Sequence, residues 1–352
     1  MPRVLLKVTG EGAALTAWSP DASLSVGIPV RAAVEGRFTL AHADLAKMLA
    51  AAVKGATKTE VDHCEATITA TPEGAELEVV GYSVPVAADA DTDTFPKIPA
   101  STVGTHVVDR AEFAAMFVRV AKAAGTDDLL PIFCQVRAVM DTEGVSLTAT
   151  DRYRIATGTV PATGTCEKTV LLPATFITKL LPFLTEDQFT VGIDHTGAET
   201  WTTITCGTLT ARTRSHHGDY PRIDHILDAG GAGTAQLPAD QLRKAAARAA
   251  ALTTALGDRG TPLRMIVDPV ASTVAVLPAT NKGVGTAPAL PADVDAIDDW
   301  LGGFNPTYLI EALTQLRGET TTMHLGQPNK PLMLTGDDSY RHVIMPMRLP
   351  QQ

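Results

Sequence analysis

A segment near the C-terminus, FNPTYLIEALTQL (304–316), places Leu309, Leu313 and Leu316 at the spacing that lines one face of a helix beginning at Phe304. The same pattern stands earlier in LPATFITKLLPFL (172–184), where Ile177, Leu181 and Leu184 take the matching offsets. Further back, LAHADLAKMLAAA (40–52) repeats it with Leu45, Leu49 and Ala52. The three segments open at positions 40, 172 and 304, which are equally spaced. Three copies at equal spacing point to a triplicated unit, and they restrict the chain to folds assembled from similar parts.

A second helix type supports the repeat. DRAEFAAMFVRVAKA (109–123) has Asp109 as N-cap and Phe113, Phe117 and Val120 on one face, and PADQLRKAAARAAAL (238–252) puts Leu242, Ala246 and Ala249 in the same register. Each unit then holds a first helix of the kind that opens at 109 and 238, several strands, and a second helix of the kind that opens at 172 and 304. Counting the same interval back from Leu40 runs off the start, so the first unit is expected to lack its opening helix. Between helices, VSLTATDRYRIATGTV (145–160) and AELEVVGYSVPV (75–86) alternate apolar and polar residues, which predicts antiparallel strands. DADTDTFPKIPASTVGT (89–105) and LDAGGAGTAQLP (227–238) read as linkers. Three α+β domains are expected, at 1–100, 101–230 and 231–352.

Composition narrows the function. No apolar run approaches the roughly 18 residues a membrane helix needs, and MPRVLLKVTGEGAAL lacks the apolar core of a secretory signal, so a soluble cytoplasmic protein is expected. Cys64, Cys134, Cys166 and Cys206 lie far apart with no CxxC pair, which predicts buried thiols and neither a zinc site nor a disulfide framework. A net charge of −10 argues against a nucleic-acid partner unless the charges are segregated. They are. On a helical wheel Lys47 and Lys54 fall opposite Leu45 and Leu49, Arg119 and Lys122 opposite Phe113 and Phe117, Lys244 and Arg248 opposite Leu242, and Lys179 opposite Ile177. Helices presenting such faces suit phosphates; an ordinary solvated face is the plainer reading, and Glu186 and Glu311 on the same face dilute the charge.

Catalytic signals are weak. Asp62 and His63, read as neighbours on a strand, point to opposite faces, and His216 and His217 precede a Gly–Asp turn at Asp219 that reads as a surface loop. No GxSxG, HExxH or GxxxxGK[ST] occurs, so no catalytic, metal or cofactor site is expected.

The intervening segments match a known family. LLPIFCQVRAVM followed by LTATDRYRIA (129–140, 147–156) resembles the second-domain signature of the β sliding clamp of bacterial DNA polymerase III, with an actinobacterial cast. GDYPRIDHIL (218–227) resembles the segment closing that domain; FNPTYLIEALTQL and HVIMPMRLP (342–350) resemble the third; TFPKIP (94–99) resembles the end of the first. The resemblance covers nearly the whole chain. It implies three tandem clamp domains with antiparallel sheets outside and helices lining a central channel. Two subunits would close head to tail as a homodimer ring around double-stranded DNA. Without base-edge contacts such a ring slides on any sequence. It implies a non-catalytic processivity factor that tethers the DNA polymerase III catalytic subunit, is handled by a clamp loader, and binds other proteins through short clamp-binding motifs.

Carried over by position, the partner-peptide pocket would comprise Thr150, Arg152, Tyr153, Arg154, Ile155, Pro221, His225, Ile226, Val343, Ile344, Met345, Pro346 and Met347, with Phe133 at its edge. The DNA-facing cations would be Lys47, Lys54, Arg119, Lys122, Lys179, Lys244 and Arg248. Subunit contact would fall on Val84 and Val86 in GYSVPVAAD (81–89) and on Ala251 and Leu252. In the family a strand and a helix normally precede the stretch matching MPRVLLKVTGEG; none stands before it here, so either the start lies upstream of Met1 or an incomplete first domain is expected. Pro85 in the contact strand cannot donate to a ladder, and Ala251 offers little area to bury. The alternative is therefore a clamp paralogue, phage-borne or duplicated, acting as a weak ring or a monomeric binder of clamp-binding peptides. An enzyme using Tyr153, Arg154 and His225 on a small molecule is a remote third reading.

Overall fold

The computed structural model describes residues 3–349, except 11, 32–33, 72–73, 90–91, 94, 97–104, 197–198, 217, 228–230, 256–259, 281–282, 297 and 328–329. Most of TFPKIP (94–99) and His217 therefore lie outside the described residues. The fold is α+β, with antiparallel sheets and few helices.

The helices are α1 (His42–Ala52), α2 (Lys58–Asp62), α3 (Arg110–Ala121), α4 (Ala174–Leu180), α5 (Asp224–Leu227), α6 (Ala239–Ala255) and α7 (Pro306–Gln315). Helices α1, α4 and α7 open at His42, Ala174 and Pro306, keeping the equal spacing of the sequence repeat, and the equivalent Leu45, Ile177 and Leu309 are all buried. Two expected boundaries move. Phe304 ends a strand, Trp300–Phe304, and the helix starts at Pro306 because the Asn305 side chain caps Thr307 N–H at 2.9 Å and Pro at the first position forfeits no needed donor. Helix α4 stops at Leu180 and tightens into a 3-10 turn, Leu181–Phe183, since Pro182 has no N–H to continue the ladder. Asp109 caps α3 by accepting from Glu112 N–H at 2.8 Å.

By contact density the chain forms two compact units, one of residues 1–107 with 184–214, the other of 108–183 with 215–352. In the first, eight antiparallel strands run in the order Ala88–Asp89, Gly36–Ala41, Arg3–Thr9, Gly12–Ser19, Ala22–Ile28, Leu209–Arg214, Glu199–Cys206, Gln188–Thr196. Residues 184–214 group with the N-terminal stretch because Ala22–Ile28 and Leu209–Arg214 pair in register, Val26 opposite Leu209. A three-stranded sheet, Ala66–Thr71, Gly74–Val79 and Tyr82–Val86, supplies Leu77, Val79 and Val86 to a core shared with Val4, Leu6, Leu40 and Leu45. Asp62 ends α2 and His63 caps it, so the pair is helical, not on a strand, and His63 Nδ1 lies 2.8 Å from Thr59 O.

In the second unit nine antiparallel strands run Lys168–Pro173, Gln135–Met140, Gly144–Thr150, Arg154–Gly164, Arg341–Ile344, Leu332–Thr335, Thr320–Leu325, Gly233–Pro238, Asp293–Ala296. The linker expected at 227–238 is thus half strand: Gly233–Pro238 pairs on both sides. Helix α3 packs on the hairpin of residues 144–164. At Gly158 a Cβ would stand 2.3 Å from Met116 Sδ, so any side chain there would make Met116 move. A second sheet, Leu290–Pro291, Thr273–Leu277, Leu263–Asp268 and Trp300–Phe304, lies under α6, against which α7 packs. No two of the four cysteines are joined in a disulfide; Cys206 is buried and the other three are half-exposed, so the expectation of four buried thiols is corrected.

Candidate peptide-binding groove

The site grows from one tight turn in the second unit. Between strands Gly144–Thr150 and Arg154–Gly164, Asp151 Oδ1 accepts from the N–H groups of Tyr153 (3.0 Å) and Arg154 (3.1 Å), while Oδ2 accepts from Arg154 Nε at 2.9 Å. Thr150 Oγ1 accepts from Arg152 N–H at 3.1 Å and donates to Arg154 O at 2.7 Å. These bonds hold Arg152 at φ +81°, a left-handed conformation that costs an L-residue about 1–2 kcal/mol. Its guanidinium lies over the rings of Phe133 and Tyr153 at 5.5 and 5.6 Å.

Strand Arg341–Ile344 pairs with Arg154–Gly164, setting Val343 opposite Ile155 and Ile344 opposite Arg154. Past that strand, Met345 N–H donates to Tyr153 O and Met347 N–H to Gly303 O, both at 2.8 Å, which ties the chain end to the turn. Ile155, Val343 and Ile223 form a small buried cluster, with Tyr220, Ile226, Leu227, Met333 and Met345 half-buried around it. The result is an apolar cluster with an accessible edge, beside which Tyr153 is 54% exposed.

The expected pocket residues divide by role. Arg152, Tyr153, Ile226, Met345, Pro346 and Met347 remain at least partly accessible. Thr150, Arg154, Ile155, Val343 and Ile344 are buried, so they support the turn and the apolar cluster and present little side chain to a visitor. Arg154 pairs with Asp151 and with Glu311, and its guanidinium lies 4.5 Å from the Tyr308 ring centre. Pro221 is half-buried and His225 is exposed on α5. Tyr308, Tyr220 and Leu227 escaped the sequence reading. Tyr308 stacks on Tyr153 at 6.3 Å, and burial, with the Asp151 charge adding, pushes its phenol upward, keeping it a neutral donor. Its place three residues after the Asn305 cap was the available signal. Glu311, expected on the cationic helix face, instead faces Arg154.

The expected cationic helix residues also divide. Lys47 and Lys54 in the first unit are exposed, as are Lys122, Lys179, Lys244 and Arg248 in the second, Lys244 meeting Asp240 at 2.5 Å. Arg119 is buried, and its assignment is corrected. It donates to Gln315 O at 2.7 Å and to both oxygens of Asp338 at 2.5 and 3.2 Å, and its guanidinium stands 4.3 Å from the Tyr340 ring centre, so it does not reach phosphates. Burial would raise the Asp338 carboxyl, but Arg119 and the Tyr340 N–H together hold it below the usual range. Arg119→Met is expected to cost roughly 2–3 kcal/mol in urea denaturation, less than the 3–5 of a fully buried pair because Asp338 is partly exposed. Of the expected subunit contacts, Ala251 and Leu252 are exposed, whereas Val86 is buried in its own core and Val84 packs beside it.

Among the described residues no cluster of three or more His, Cys, Asp or Glu is placed to hold a metal, and no helix is long and apolar enough to cross a membrane. Comparison with known proteins gives the groove its family setting. The family described as DNA polymerase III beta subunit, central domain, matches residues 107–222, and its C-terminal domain matches residues 230–348. A protein named beta sliding clamp from Streptomyces coelicolor is 25% identical over 365 residues, covering 98% of this chain and 91% of the relative. A beta sliding clamp of Streptococcus pneumoniae is 25% identical over 268 residues, covering 73% of this chain and 68% of the relative. The fold is shared with the DNA polymerase III subunit beta from Pseudomonas aeruginosa (TM-score 0.84, 18% identity, covering 99% of this chain and 92% of that one). It is shared also with the beta subunit from Streptococcus pyogenes (TM-score 0.82, 20% identity, covering 99% and 92%). With two successive domains of one polymerase accessory subunit matched in order along most of its length, the chain belongs to the DNA polymerase III beta subunit family.

Proposed function

We propose that this chain is a non-catalytic DNA sliding clamp, cytoplasmic and associated with the nucleoid, which encircles duplex DNA and tethers the polymerase catalytic subunit, the clamp loader and other proteins bearing short apolar motifs. In this reading residues 1–100, 101–230 and 231–352 are three clamp domains, and two copies form a ring with the helices inward. One observation carries it: segments 150–156 and 342–347, far apart in sequence, pair and build a partly accessible apolar cluster in a chain of this family, and we read that cluster as the floor of a peptide groove. Lys47, Lys54, Lys122, Lys179, Lys244 and Arg248 would then meet phosphates without reading bases, and topology would retain the ring. A tethered polymerase rebinds at high effective concentration, which is processivity.

The test is retention. After loading with a clamp loader, the protein is expected to stay on nicked circular DNA through a high-salt gel filtration and to fall off once the circle is cut. Equal loss from circle and linear DNA would refute encirclement.

A second reading, a paralogue with a weak ring or none that still binds clamp peptides, draws support from the edge strand Tyr82–Val86. Its outer edge has no partner strand among the described residues, Pro85 interrupts its donors, and Val86 is spent on its own core. Sedimentation at micromolar concentration distinguishes the two: a dimer favours the ring, a monomer the paralogue.

A further inference from the structure

The apolar groove continues past Ile155. Residues two apart on a strand share a face, so Thr157 and Thr159 extend the row that Ile155 begins, and Arg341 extends the row of Val343. With Asp224, Leu227 and Ser339 these residues line a cleft of about 380 Å³. Leu227 borders both the cleft and the apolar cluster, so the two are continuous.

The chemistry of the cleft is set by what its groups have already spent. Thr157 Oγ1 donates to Leu147 O at 2.9 Å. Ser339 Oγ donates to Thr159 O at 2.9 Å and accepts from Thr159 N–H at 3.1 Å. Two charges remain on the walls. Asp224 is opposed by Arg137 at 3.7 Å. Arg341 is exposed and makes no ion pair among the described residues. The walls thus carry one charge of each sign, and with Asp224 opposed by Arg137 the unmatched one is Arg341, in a chain whose formal charge is −10. A planar guanidinium with free donors, beside apolar anchors, matches a carboxylate.

We propose that this cleft is a specificity subsite in which Arg341 binds an acidic side chain flanking the apolar anchors of a docked partner tail. It rests on the peptide-binding reading of the groove. Arg341 lies about 7 Å along the strand from Val343, so the acidic residue should stand two or three positions from the anchor.

Fluorescein-labelled twelve-residue peptides with a Leu-Phe anchor provide the test by anisotropy, with Ser, Asp or Lys two to three positions before or after the anchor. The Asp peptide of one polarity should bind the intact protein about fivefold more tightly than its Ser counterpart. Arg341→Ala should erase that advantage while leaving the Ser peptide unchanged, and Arg341→Glu should transfer it to the Lys peptide. Equal binding of Asp and Ser peptides, or an advantage surviving in Arg341→Ala, overturns the subsite but leaves the groove. Failure of every peptide to bind the intact protein overturns the groove reading and the subsite with it. Melting temperatures confirm that the variants are folded, and Arg341→Gln replaces Arg341→Ala if the latter melts early.

Discussion

Changing Tyr153 and Met345 together to Ala is expected to weaken capture of an apolar-anchored tail peptide by at least about fiftyfold, with a melting temperature within a few degrees of the parent. Both sit at the open rim: Tyr153 is 54% exposed, and Met345 is half-buried at the edge of the Ile155, Ile223 and Val343 cluster. Neither fills the deep core, so the folded state loses little. Binding loses much more, because aromatic anchors in desolvated grooves typically contribute about 2 kcal/mol and flexible thioethers fill irregular gaps. Two such losses, taken at about 2.4 kcal/mol after allowing for non-additivity between neighbours, amount to about fiftyfold. The backbone bond from Met345 N–H to Tyr153 O survives both changes and keeps the chain end docked. Anisotropy with the Leu-Phe peptide reads the affinity and a thermal melt reads the fold. A double variant that binds like the parent would remove the groove from the proposed function.

Lowering the pH from 7 to 5 is expected to destabilise the chain by about 2 kcal/mol through one residue, His342. It is fully buried, with Nδ1 2.8 Å from the Tyr340 hydroxyl, and burial first, then the Arg154 charge, pulls its pKa down to about 3. In the unfolded chain the ring titrates near 6.5. A depressed histidine favours the unfolded state once the pH drops below that value, at about 1.4 kcal/mol per unit, until the folded pKa is reached. The native state is thus undisturbed above pH 6.5 and loses stability steadily down to about 3. His324, half-buried and also depressed by burial, adds a smaller loss of the same sign; the lowered Asp338 acts only in the carboxylate range below. His342→Phe keeps the aromatic volume and should flatten the denaturation free energy between pH 6.5 and 4.5 by about one proton. An unchanged slope would mean that His342 does not titrate between folded and unfolded states.

The repeat was legible because it is a property of local spacing. Leu45, Ile177 and Leu309 announced three buried helix faces before any packing was known, and Asp109 announced its cap. Boundaries were less legible where two local preferences compete. Phe304 fits the helical stripe, yet its backbone pairs with Leu263 in a sheet, and only the partner strand decides that contest. The reading of Arg119 failed for a related reason. A wheel reports which side of a helix a residue occupies, not what lies against that side. Asp338 and Tyr340 arrive there from the far end of the chain.

Amphipathic period alone located three equally spaced helices with buried faces, and the quoted motifs were enough to place the chain beside the clamps. Tertiary structure alone decided which of the matched residues are free to act. Pairing Arg154–Gly164 with Arg341–Ile344 buries Arg154 and Ile344, leaves Tyr153 and Met345 at a rim, and turns Arg341 outward into a cleft. Burial is a property of neighbours distant in sequence, which no local pattern encodes.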